Sequence, residues 1–221
     1  RIPLMEKLAE AGFEMSAAGA TEQPEFEGTP FRYVQFPLVR SMNPLKFRKA
    51  TLGLRDVLKR EQPDLVHAVN TMPCIAGPQA AGSLAIPCVR TVTGLGALFS
   101  SDSLRYRLTQ AVFCQMHRRV DRHCLHTIFQ NPEDRDYFVE KRLVAPEQTG
   151  LIYGSGIDVD ALVAQQSSPQ RLEQLRDELG IRGKTVVTMV SRLMKVKGVE
   201  EFAQAATAVR KQFPDTAFLL V

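Results

Sequence analysis

Leu65-Val66-His67-Ala68-Val69, a small-residue stretch over 71–85, and then Cys88-Val89-Arg90-Thr91-Val92 form the run that decides the fold. Two short apolar segments flank a helical pattern, the arrangement of a strand–helix–strand unit of about 30 residues with parallel strands. The pattern continues outward on both sides. Upstream, Asn43-Pro44 opens a helix running to about residue 60, because Pro suits the first helical turn. Before it come alternating strand patterns over 31–36 and 13–18, and a helix over 2–11 that stops at Gly12. Downstream, a long helix over 103–123 leads to Thr127-Ile128-Phe129-Gln130. A helix over 132–141 and a final strand, Leu151-Ile152-Tyr153, follow. This alternation predicts an α/β domain with a doubly wound parallel sheet.

After Gly156 the texture changes. Residues 158–168 are polar and rich in Ala and Gln, and 169–180 form a charged helix. A new core is expected at Thr185-Val186-Val187-Thr188-Met189-Val190, with a helix over 199–212 and a strand over 216–221. The expected organisation is a domain over 1–157, a linker and helix over 158–183, and the first strand–helix–strand of a second domain over 184–221. The chain opens on Arg1 inside a helical pattern and closes on Phe218-Leu219-Leu220-Val221 inside a strand pattern, so it reads as a fragment lacking both ends.

Composition narrows the class. The 221 residues hold 28 Lys+Arg against 24 Asp+Glu, 44% hydrophobic residues and no Trp, the profile of an ordinary globular protein. No run approaches the about 18 apolar residues of a membrane span, and the first residues lack the apolar core of a signal peptide. Cys74, Cys88, Cys114 and Cys124 make no C-x-x-C pair and read as reduced, mostly buried thiols of a cytoplasmic protein.

The sharpest candidate site is Ser191-Arg192-Leu193-Met194-Lys195-Val196-Lys197-Gly198-Val199, between a buried strand pattern and a helix. Ligands of open α/β sheets sit beyond the carboxyl ends of strands, where free N–H groups of a helix start favour an anion. Arg192 offers a planar fork to phosphate oxygens and Lys197 a flexible point charge. A solvated basic loop is the plain alternative. Gly94-Leu95-Gly96 and Gly154-Ser155-Gly156 also follow strands and allow close backbone approach to a ligand, though neither completes a dinucleotide fingerprint. Gly180-Ile181-Arg182-Gly183-Lys184-Thr185 imitates a phosphate loop, but its glycines are too close and it precedes a strand, so it reads as a turn.

Two basic stretches bear on partners. Residues 46–60 hold Lys46, Arg48, Lys49, Arg55, Lys59 and Arg60 against Asp56. Residues 105–123 hold Arg105, Arg107, Arg118, Arg119 and Arg122 against Asp121. Such helices suit an anionic membrane surface or a solvated face. No base-stacking or groove-reading motif points to nucleic acid. His67 reads as a satisfied core residue. His117, His123 and His126 lack the spacing and Glu of a zinc protease, and no metal site or covalent nucleophile is expected.

Several of these stretches together resemble the retaining glycosyltransferases of family 4. They are Gln62-Pro63-Asp64-Leu65-Val66-His67, Thr91-Val92-Thr93-Gly94-Leu95-Gly96, Ile128-Phe129-Gln130-Asn131, Ile152-Tyr153-Gly154-Ser155-Gly156-Ile157-Asp158, and Val190-Ser191-Arg192-Leu193 with Lys197-Gly198-Val199. The resemblance implies a GT-B fold, with a Rossmann-like first domain and the start of a second. It also implies transfer of a sugar from a nucleoside diphosphate, with retention, to a lipid-linked or glycan hydroxyl such as a polyprenyl-diphosphate-linked glycan. The setting would be polysaccharide biosynthesis at the inner face of the cytoplasmic membrane. Arg192 and Lys197 would stabilise the departing diphosphate without a metal or other cofactor. Ser191, Gly198, Gly154, Ser155, Gly156 and Asp158 would complete the donor side, with the last four at the interdomain crevice. Thr93, Gly94 and Gly96 would line the acceptor side. Many members have His where this chain has Thr93, so no general base is assigned. The family's donor-gripping pair of glutamates is absent, which implies that the chain alone is inactive. A GT-B nucleotide-sugar epimerase and a non-catalytic nucleotide-sugar-binding subunit are the alternative readings.

Overall fold

The computed structural model describes residues 2–20, 23–38, 43–95, 99 and 103–221. The chain divides into two compact units, Arg1–Ile157 and Asp158–Val221.

In the first unit, α1 (Ile2–Glu10) precedes β1 (Ser16–Gly19) and β2 (Arg32–Gln35), which pair in parallel with Ser16 opposite Arg32. Then come α2 (Pro44–Glu61), β3 (Val66–Val69), α3 (Pro73–Gly82), β4 (Cys88–Val92), α4 (Leu104–Asp121), β5 (His126–Phe129), α5 (Pro132–Glu140) and β6 (Thr149–Leu151). β3, β4, β5 and β6 lie side by side in chain order, all parallel, with Val66 opposite Cys88, Val89 opposite His126 and Thr127 opposite Thr149. Each crossover is a helix, as parallel neighbours require.

The helix starts follow their capping chemistry. Asn43 Oδ1 accepts from Leu45 N at 3.0 Å and Lys46 N at 3.2 Å, and Asn131 Oδ1 accepts from Asp134 N at 2.7 Å, each with Pro in the first turn. α2 buries Phe47, Ala50, Thr51, Leu54, Val57 and Leu58, a stripe at helical spacing. Leu54, Val57 and Leu58 pack with Val34, Phe36, Ala68, Ala80 and Cys88, while Phe113, Phe129, Phe138, Ile75 and Leu143 anchor a second cluster.

A polar cluster sits within this unit. Arg90, in the middle of β4, is fully buried. Its Nε donates to Thr127 Oγ1 at 2.9 Å, its Nη2 to Asp121 Oδ1 at 2.8 Å, and its Nη1 lies 3.4 Å from His117 Nδ1. A guanidinium only donates, so His117 Nδ1 accepts and the ring proton sits on Nε2, an atom with no partner among the described residues. Burial, reinforced by the Arg90 charge, holds His117 well below its ordinary value, so the ring is neutral at pH 7. Burial raises the Asp121 carboxyl despite the pull of Arg90 in the opposite direction. The four cysteines are free. Cys74 donates to the carbonyls of Thr91 and Ala68 at 3.2 and 3.5 Å, and burial pushes its thiol up to about 12, so it stays protonated.

In the second unit, α6 (Val159–Ala164) and α7 (Pro169–Glu178) precede β7 (Thr185–Met189), α8 (Val199–Gln212) and β8 (Thr216–Leu220). β7 and β8 pair in parallel, Thr185 opposite Thr216, and the Phe202 and Phe218 rings pack edge to face at 5.7 Å.

Five expectations change. The strand expected over 13–18 is β1 at Ser16–Gly19, and Phe13 is exposed, because only the later residues reach the β2 ladder. The strand expected over 151–153 is β6 at Thr149–Leu151, with Ile152 and Tyr153 exposed beyond the end of β5. His67 is not a core residue: its ring is exposed, and Nε2 lies 2.7 Å from Thr91 Oγ1 on the neighbouring strand. The strands expected as a buried core at 185–190 and 216–221 are half-exposed, because two strands and one helix cover a single face. Residues 158–168, expected to be polar linker, contain α6.

Candidate functional site

The carboxyl ends of β3 to β6 gather the acceptor-side candidates and part of the donor-side group. Asn70, just past β3, adopts a left-handed φ of 76°. Its Oδ1 accepts from Thr93 Oγ1, just past β4, at 3.0 Å. Gly94 has φ of 150°, and a Cβ built there would stand 3.9 Å from Asp134 Oδ2 in the first turn of α5. That carboxylate also accepts from Asn131 Nδ2 at 2.8 Å. Past β5, Gln130 Nε2 donates to Ser155 Oγ at 2.9 Å. Gly154 and Gly156 take left-handed φ of 69° and 72° with open space where side chains would be, so the backbone of 154–156 is bare to an approaching ligand. Gly96 lies outside the described residues.

Sequence reasoning missed Asn70 and Asp134 at this edge. Asn70 is signalled only by its place directly after a strand, where Asn tolerates the left-handed region. The Asn131-Pro132-Glu133-Asp134 run marks a helix start, but the approach of Asp134 to Gly94 depends on the β4–β5 pairing.

In the second unit, Asp158 Oδ1 accepts from Ala161 N at 2.8 Å and caps α6, so its carboxylate already has a structural task. Past β7, Ser191 N donates to Val221 O at 3.0 Å, tying the loop to the end of β8. Ser191 Oγ donates to Arg192 O at 3.1 Å. Lys195–Lys197 form one 3-10 turn, and Gly198, at φ 79°, opens α8 without any side-chain cap. The three cations of this loop divide. Lys195 Nζ is paired with Glu200 Oε2 at 3.1 Å, whereas no ion pair joins Arg192 or Lys197 to a carboxylate among the described residues. Both are exposed. Glu200 and Glu201 sit in the first turn of α8, so the anion-attracting end of the helix already faces its own carboxylates. Among the described residues, the positive charge of this loop that no carboxylate offsets therefore lies on Arg192 and Lys197.

A Rossmann-like α/β unit followed by the strand–helix–strand of a second, each with its candidate groups at strand carboxyl ends, defines a fold of the GT-B type. The glycosyl transferase 4-like domain family matches residues 3–154, and the chain belongs to that family. It is 27% identical over 188 residues to the UDP-Gal:alpha-D-GlcNAc-diphosphoundecaprenol alpha-1,3-galactosyltransferase of Escherichia coli, a match covering 83% of this chain and 46% of the relative. Among solved structures, Anabaena HepE in complex with UDP and glucose superposes with a TM-score of 0.68 at 18% identity, covering 94% of this chain and 60% of HepE. Sucrose-phosphate synthase from Thermosynechococcus elongatus superposes with a TM-score of 0.70 at 19% identity, covering 99% of this chain and 54% of the synthase. The chain thus spans about half the length of these relatives.

Proposed function

We propose that this chain belongs to a glycosyltransferase that moves a sugar from a nucleoside diphosphate to a hydroxyl of a lipid-linked glycan, with retention at the anomeric carbon. The carrying observation is the pair Arg192 and Lys197, which no ion pair neutralises among the described residues while the neighbouring Lys195 is paired. Family membership supports the reading, as does the Escherichia coli relative, whose name gives UDP-galactose as donor and a diphosphoundecaprenol-linked sugar as acceptor.

In the proposed reaction the bond from the anomeric carbon to the β-phosphate oxygen breaks, the acceptor hydroxyl oxygen bonds to that carbon on the same face, and the hydroxyl proton passes to the departing phosphate oxygen. Negative charge grows on the departing phosphate. Arg192 and Lys197 stabilise it where it develops, which lowers the barrier more than it tightens ground-state binding. Ser191 and Gly198 shape the loop around the diphosphate, and Gly154, Ser155, Gly156 and Asp158 belong to the donor side. Thr93, Gly94 and Gly96 take the acceptor side. No described helix is long and apolar enough to cross a membrane, and the proposed place of work is the inner face of the cytoplasmic membrane, in polysaccharide assembly.

The test is Arg192→Ala and Lys197→Ala in the complete enzyme, assayed for acceptor-dependent sugar transfer. By analogy with removal of one donor to a developing oxyanion, each is expected to lower kcat by about 100- to 1,000-fold. Unchanged turnover in both variants rejects the assigned role.

A further inference from the structure

α4 carries two apolar faces although its packing uses only one. Phe113, His117 and Val120 are buried and turn inward, and Asp121 holds Arg90. On the other side, Leu104, Leu108 and Val112 are 73%, 63% and 52% exposed. At about 100° per residue these three fan over about 80°. Arg107, Arg118, Arg119 and Arg122, all exposed, fall with them inside an arc of about 140° opposite the buried face. Asp121, the one acid in the α4 sequence, is committed to Arg90, so the charged side chains that α4 presents on this outer face among the described residues are all positive. Arg118 is held outward by the carbonyls of Lys141 and Arg142 at 2.9 and 3.3 Å, contacts that orient its guanidinium without neutralising it.

We propose that the outer face of α4 docks on an anionic bilayer, with Leu104, Leu108 and Val112 entering the acyl boundary and the arginines lying against lipid phosphates. The two halves of the face ask for different surroundings: a leucine and valine stripe about 12 Å long needs hydrocarbon, and the arginines need anions. A bilayer interface offers both within a few ångströms of depth. Nucleic acid answers the charge but not the stripe. The outer face of α2 is a poorer candidate, because exposed Asp56 lies between its exposed Leu52 and Lys59. This inference deepens the membrane-side placement proposed above and does not depend on the transfer reaction.

The experiment is vesicle sedimentation of the purified protein. Phosphatidylcholine vesicles are compared with vesicles of equal parts phosphatidylcholine and phosphatidylglycerol, at low and high salt. The expected result is binding to the anionic vesicles that weakens with salt. The variant Leu104→Asp/Leu108→Asp and the variant Arg107→Glu/Arg119→Glu should each lower partitioning at least about tenfold, with unchanged circular dichroism and unfolding midpoint. All four positions are exposed, so loss of fold is not expected to confound the readout. Wild-type protein that sediments with neither vesicle overturns the proposal, and so do variants that bind like the wild type. Self-association of the wild type that Leu104→Asp/Leu108→Asp abolishes also overturns it, assigning the face to a second copy instead.

Discussion

Two substitutions of Asp121 separate the hydrogen-bonding role of its carboxylate from its charge. Arg90 is fully buried with three side-chain neighbours, and the Asp121 side chain is only 21% exposed. Asp121→Leu removes the acceptor at 2.8 Å and leaves a buried guanidinium short of one partner. Breaking a buried pair in this way costs about 3–5 kcal/mol, and partial water access at Asp121 places the expected loss at about 3 kcal/mol. Asp121→Asn keeps an acceptor oxygen for Nη2 and removes only the charge. Burial raises the Asp121 carboxyl, so the charge itself gains little from the fold, and the Asn variant should lose about 1 kcal/mol. For comparison, an exposed pair such as Lys7–Glu10 contributes about 0–1 kcal/mol. Urea unfolding should therefore show the Leu variant melting about 1 M before the Asn variant. Amide exchange in β4 and β5 reports the same loss from within the first unit, which matters because two units need not unfold in one step. Equal losses for Leu and Asn would refute the argument, since charge and not hydrogen bonding would then dominate.

The remaining predictions are shorter. His117 stays neutral when folded but takes a proton below its ordinary value of 6.5 when unfolded, so the unfolded state binds more protons and stability falls as pH drops through that value. The slope should reach at most about 1.4 kcal/mol per pH unit. Asp121, raised in the fold, works in the opposite direction above 3.8. His117→Gln keeps an acceptor for Arg90 and should flatten the urea midpoint between about pH 7.5 and about pH 5.5; an unchanged slope assigns the dependence elsewhere. Gly77→Ala would bring a Cβ to 2.8 Å from Ala68 Cβ and push α3 off β3. Its net cost should be about 1–2 kcal/mol after the gain in helix propensity, measured by the same unfolding curves.

The alternation of apolar runs with helical patterns was sufficient to read the α/β class, because strand and helix periods differ and Asn-Pro pairs mark helix starts. Asn43-Pro44 and Asn131-Pro132 do cap α2 and α5, since capping uses only neighbouring residues. Strand ends were less legible. β6 stops at Leu151 because its ladder partner β5 ends at Phe129, and no local signal at Ile152 or Tyr153 carries that information.

The sequence by itself determined the order of the elements, the cations of the β7–α8 loop and the glycines that follow β4 and β6, all matters of residue type and local spacing. Only the tertiary structure decided which charges are neutralised. It paired Lys195 with Glu200 and left Arg192 and Lys197 without a carboxylate among the described residues, and it buried Arg90 against Asp121, joining residues 31 positions apart. It also turned α4 so that His117 is enclosed while Leu104, Leu108 and Val112 face outward. Charge pairing and burial depend on which distant segments the sheet brings together, and that information is absent from any single stretch of chain.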